Sequence, residues 1–160
     1  MMGLFLVPSI TAQANSLSII PTEEQTGVPV EIYQDADIIG QEYDICPELL
    51  MALAERESRF TPTAENGSCK GIMQVNAYCH RERFTEAGWS YTEWSNAYKN
   101  MYVAADYLRD LFDEYEDVGI VLGLYHGESD AITRGKKGQL STYVNQILER
   151  SEQLERLHGK

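Results

Sequence analysis

Glu57 stands where a helix would be expected to carry a leucine. In the stretch LLMALAERESRF, residues 49–60, the apolar stripe runs Leu49, Leu50, Leu53, Ala54. Its next position, four residues after Leu53 and seven after Leu50, is Glu57, although Glu55, Arg56 and Arg59 have free choice of the wet face. A carboxylate turned toward apolar surroundings either protonates or finds partners. A glutamic acid held neutral near pH 6 is what a general acid needs to protonate a leaving oxygen. The plainer reading places Glu57 at the edge of the stripe, paired with Arg56, Arg59 or Lys70.

The elements around this residue read as mainly helical. Pro29 opens a helix whose apolar face is Ile32, Ala36, Ile39 and Tyr43. A second starts at Pro47, with Glu48 favourable in its first turn, and runs to about Phe60, where Pro62 stops it. Residues 61–71 are turn-rich and predict a loop or small hairpin, and a helical piece is expected over about 72–88. The longest helix spans about Asn96 to Tyr115. Asp117 caps a short apolar helix, residues 128–139 read as loop, and Ser141 caps a last helix carrying Tyr143, Val144, Ile147, Leu148 and Leu154.

Other segments fall in a telling order. Glu57-Ser58 leads through a Pro/Gly/Asn loop to Gly71-Ile72-Met73-Gln74, then NMYVAADYLRDL (100–111), LYHG (124–127) and YVNQIL (143–148). This set resembles the soluble lytic transglycosylase domain, the goose-type-lysozyme-like group of peptidoglycan-cleaving enzymes, over about residues 29–155. The resemblance implies a lysozyme-like single domain, mainly α, with a small hairpin beside the cleft. It implies Glu57 as the catalytic acid/base and Ser58 as a neighbour that orients it or touches substrate. Gly71 would keep backbone close to the cleft, and Met73 and Gln74 would line the sugar site. Tyr125 would hydrogen-bond near the glutamate, and Tyr143 would border the cleft. His126 departs from the family, which usually has asparagine there. The implied reaction breaks the MurNAc-GlcNAc β-1,4 bond and leaves a 1,6-anhydro sugar. Glu65, Glu128 or Asp130 opposite Glu57 would instead permit plain hydrolysis, and a wall-binding module without activity is a third reading.

Composition narrows the classes. The chain has 160 residues, 43% of them hydrophobic, which suits one globular domain. Its net charge is -12, and residues 15–44 carry seven acids and no Lys or Arg. That balance excludes a phosphate-backbone partner, so no nucleic acid is expected. Nor is a cofactor or metal: Cys69, Cys79, His80 and His126 lack the paired spacing of a metal site. Residues 1–14 end in Ala12-Gln13-Ala14 and read as a partial signal peptide, which places the protein outside the cytoplasm, secreted or in a bacterial cell envelope. Residues 15–28 read as an acidic linker, and 29–158 as the domain. Cys69 and Cys79 are the preferred disulfide pair, the alternative being three reduced thiols. Expected partners are peptidoglycan glycan strands and, by analogy with small wall-opening enzymes, a wall-spanning secretion, conjugation or phage machinery, met by a monomer.

Overall fold

The computed structural model describes residues 21–160 and is mainly helical, as expected. The signal-peptide reading of residues 1–14 and the start of the linker, 15–20, lie outside the described residues. The rest of the linker stretch includes a one-turn helix, α1 (Glu23–Thr26), after which Val28 is buried. Arg150 holds this turn by donating to the Thr26 carbonyl at 2.5 Å.

Helix α2 (Val30–Tyr43) begins behind Pro29 and α3 (Pro47–Ser58) begins on Pro47, whose missing N–H costs nothing at a first turn. From Glu48 to Ala54 every residue of α3 is buried, so this helix has no wet face along that length. It packs mainly against α2 and α8 (Thr142–Leu157), and α5 (Ala97–Tyr115) closes the core beside α2. Asp117 and Ser141 cap α6 (Val118–Tyr125) and α8 through Ile120 N–H and Val144 N–H, as their positions predict.

Two segments differ from expectation. Residues 72–88 are not one helical piece: Val75–Asn76 is a strand, and helix α4 covers only Arg81–Glu86. The strand completes a three-stranded antiparallel sheet, β1 (Glu65–Asn66), β2 (Cys69–Lys70) and β3 (Val75–Asn76), with Asn66 opposite Cys69 and Lys70 opposite Val75. Residues 128–139, expected as loop, include the short helix α7 (Ala131–Gly135), packed on α6. Among the described residues no helix is long and apolar enough to cross a membrane.

Glu48 is more than a first-turn acid. It is 1% exposed, and three groups converge on its carboxylate. His158 Nδ1 donates to Oε1 at 2.6 Å, Lys160 Nζ sits 2.7 Å from the same oxygen, and Cys46 Sγ donates to Oε2 at 3.0 Å. Burial by itself would raise the Glu48 pKa, but the donors from Cys46, Lys160 and His158 outweigh it and hold the group at about 2. The contact fastens the C-terminal end of α8 to the core helix.

A carboxyl depressed on folding contributes stability that is complete above its unfolded pKa and lost as pH falls toward the folded value. Melting followed by circular dichroism should therefore hold steady above about pH 5 and drop between pH 5 and pH 2. The Glu48→Gln variant should lose about 3 kcal/mol at pH 7 and flatten most of that drop. An unchanged acid limb in the variant would remove Glu48 from this role.

Candidate active site

A cleft of about 580 Å³ opens where α3 ends, beside the sheet. Its walls are the last turn of α3 (Arg56 to Arg59), the hairpin residues Ala64 to Asn66 and Cys69, and Gln74, Tyr125 and His126. Arg59 takes a left-handed conformation, φ +53°; its N–H returns to the Glu55 carbonyl and the N–H of Phe60 to the Ala54 carbonyl, which stops the helix at Ser58. Glu57 is thereby left half-buried on the last turn, facing the cleft.

None of the basic neighbours pairs with it. Among the described residues Glu57 has no ion pair; the phenol of Tyr143 donates a hydrogen bond to its Oε1 instead. Tyr143 is buried, and His126 lies flat on its ring, with centroids 3.7 Å apart and planes 11° apart. The Arg56 guanidinium sits 5.4 Å from the same ring centroid. Burial first, and then the Glu57 charge, push the Tyr143 pKa far up, so this phenol remains a donor. Tyr125 is raised for the same reasons in the same order. Its hydroxyl goes elsewhere, donating to the Met73 carbonyl at 2.7 Å. The tyrosine that bonds the glutamate itself is thus Tyr143, while Tyr125, near the Glu57 charge, holds the loop.

Three further positions take more particular places. Ser58 lines the cleft, as a residue that touches substrate would, but it is not hydrogen-bonded to Glu57; its hydroxyl lies 2.7 Å from the Ile72 carbonyl and 3.1 Å from that of Ala54, and accepts from Thr61 N–H. Met73 does not line the cleft, because its side chain is fully buried in the main core. The backbone of Gly71 is hydrogen-bonded to Ala64 and Gln74, which line the cleft, and the absence of a side chain there is needed for packing. Its φ is +82°, and a Cβ there would lie 2.4–2.7 Å from the side-chain amide of Asn100. Gln74 does line the cleft, but its amide is turned back to the carbonyls of Gly71 and Ala64 at 2.8 and 3.1 Å.

Asn100 is the residue that reading the sequence missed. It is fully buried on α5, donating through Nδ2 to the Lys70 carbonyl at 3.1 Å and accepting through Oδ1 from Met73 N–H at 2.9 Å. The signal was present: Asn100 falls three residues after Ala97 and four before Ala104, a polar side chain on the buried face, as Glu57 is on α3.

Of the candidate second carboxylates, only Glu65 lines the cleft, ion-paired with Lys70. Glu128 and Asp130 are both bound to Arg134 away from it. The cysteines are free. Cys69 lines the cleft whereas Cys79 lines a separate hollow with His80 and Arg83, so the preferred pair is not joined and its members line two different cavities.

With this geometry in view, comparison with protein families gives one match: the model described as the transglycosylase SLT domain aligns with residues 36–143, about two thirds of the chain. The matched span begins in α2 and ends on Tyr143. No curated protein matches.

The Asn100 contact generates a coupling that urea titration can measure. Asn100→Ala leaves Met73 N–H and Lys70 C=O without partners and should cost about 2–4 kcal/mol. Gly71→Ala should cost about 2 kcal/mol or more through the clash and the positive φ. Asn100→Ala removes the clashing amide, so the double variant should be less destabilised than the two single losses added together.

Proposed function

This chain belongs to the transglycosylase SLT family, and on that footing we propose that it cleaves peptidoglycan with Glu57 as its single catalytic acid/base. The family's activity is transglycosylation on peptidoglycan. The finer reading is that Glu57 acts on the β-1,4 bond between N-acetylmuramic acid and N-acetylglucosamine. The observation that supports it is the placement of Glu57: it lies in the cleft, free of ion pairs among the described residues, and carries one hydrogen bond from a buried phenol.

The chemistry follows from that placement. Protonated Glu57 gives its proton to the glycosidic oxygen as the C1–O bond breaks. The acetamido oxygen of the muramyl residue stabilises the positive centre at C1, so no second carboxylate is required. Glu57, now ionised, takes the proton of the C6 hydroxyl as O6 bonds to C1. The product is a 1,6-anhydro sugar, no water is consumed, and the acid is regenerated. Tyr143 fixes the carboxyl by holding Oε1, which leaves Oε2 for the substrate. His126 supports the tyrosine from its face, so the replacement of the family's usual asparagine by histidine is compatible with this arrangement. On this reading the protein acts outside the cytoplasm, where its substrate lies.

Glu65 motivates the competing reading of hydrolysis, since it shares the cleft. Its ion pair with Lys70 favours transglycosylation. Digestion of purified peptidoglycan, with mass spectrometry of the soluble products, decides the matter. The wild type should release anhydro-muropeptides, and Glu57→Gln should lower the rate roughly 10²–10⁴-fold. Reducing ends would indicate hydrolysis, and equal release by both proteins would remove Glu57 from catalysis.

Tyr143→Phe should slow turnover roughly ten- to a hundredfold by removing one hydrogen bond to a charged group. Loss of substrate binding with an unchanged turnover number would contradict a positioning role.

A further inference from the structure

The chain has three histidines, and each is placed differently. His158 is held against buried Glu48, and His80 is half-buried beside Tyr107, where burial pulls its pKa down. His126 is exposed, lines the cleft and lies flat on Tyr143, whose hydroxyl donates to Glu57. Imidazole is the side chain whose charge changes near neutral pH. Here it stands one aromatic ring away from the carboxyl that must carry a proton.

The surroundings determine how readily that ring takes a charge. His126 caps the C-terminus of α6, its N–H bonded to the Leu122 carbonyl at 3.0 Å, and the negative end of a helix favours a cation. In the cleft, Glu57 favours an imidazolium, as does Glu65 less strongly because it is paired with Lys70. Arg56 and Arg59 of α3 oppose it. Tyr143 of α8 and Tyr125 of α6 stay uncharged, since burial and the Glu57 charge push both phenols far up. Cys69 is on the hairpin wall. From the other elements packed on α6, Tyr107 of α5 meets Tyr125, and Arg134 of α7 is taken up by Glu128 and Asp130.

A positive charge on His126 acts on Glu57 in two ways. It stabilises the ionised carboxylate through space, and it makes the stacked phenol a stronger donor to Oε1. Both effects favour the carboxylate over the acid. We infer that His126 is a positioning residue that carries a switchable charge: neutral, it holds the Tyr143 ring in place, and protonated, it favours ionised Glu57 and withdraws the acid from the reaction. The two groups then titrate as a coupled pair rather than separately. The inference rests on Glu57 as the acid of the proposed function and adds what regulates it.

Two measurements on the full-length protein test this, one of them without substrate. Proton NMR follows the His126 imidazole through a pH titration, its signal assigned by its loss in His126→Phe. In Glu57→Gln the His126 midpoint should fall by about half a pH unit, because the anion that favours the imidazolium is gone. The second measurement is the pH profile of kcat/KM on soluble glycan strands, which reports the free enzyme. His126→Phe keeps a flat ring on Tyr143 without a charge, so its alkaline limb should move up by about half a pH unit. His126→Ala should move the limb likewise and also lower the maximum, since Tyr143 loses the ring that holds it. A His126 midpoint indifferent to Glu57→Gln, or an alkaline limb unmoved in His126→Phe, overturns the inference and leaves Glu57 as the acid. A wild type that cleaves no strand overturns the proposed function, and the inference with it.

Discussion

Between Glu48 and Ala54 the core helix α3 is out of water on every side, so polar groups at its two ends must be satisfied by protein. At the N-terminal end the carboxylate of Glu48 gathers a thiol, an imidazole and an ammonium from Cys46, His158 and Lys160. At the C-terminal end the helix stops on a left-handed Arg59, Ser58 turns its hydroxyl to backbone, and Glu57 takes the phenol of Tyr143. The rest of the fold is arranged around these two ends. Helix α8 serves both, supplying Tyr143 from its first turn and leading into His158 just beyond its last.

The turn at residues 71–74 shows why a family signature need not be a contact surface. Ile72 and Met73 are sunk in the core. The backbone of the turn is held from three directions: by Ser58 at the Ile72 carbonyl, by Asn100 at Met73 N–H, and by Tyr125 at the Met73 carbonyl. Gly71 leaves room for the Asn100 amide. Each bond satisfies a backbone group in a water-poor place, so together they fix where the sheet stands relative to the end of α3. The cleft between them is a by-product of that fixation, and its width depends on side chains that never enter it.

Charge follows a different logic from burial. The molecule is strongly acidic overall, yet the opening beside Glu57 is bounded by two arginines with no acidic partner among the described residues. Local fields in a partly enclosed cleft are set by its nearest groups rather than by the net charge, which is screened within about a Debye length of 8–10 Å. A strongly negative molecule and a locally positive cleft rim can therefore coexist on one surface.

Helix periodicity alone placed α2, α3, α5 and α8 to within a few residues, because burial of an apolar face is a local pattern repeated along each segment. It also singled out Glu57 as a carboxylate out of place. The sequence did not reveal which partner would meet that carboxylate: Arg56, Arg59 and Lys70 were near in the chain, whereas the donor is Tyr143, 86 residues away. Nor did it separate Tyr125 from Tyr143, reveal Asn100 beneath Gly71, or show that Glu48 is buried, since each depends on groups brought together from distant helices. What the sequence by itself determined was where polar residues interrupt apolar faces, a property of one helix at a time. Only the tertiary structure decided which of those residues satisfy one another and which face an open cleft, because hydrogen-bond partners are chosen by distance in space.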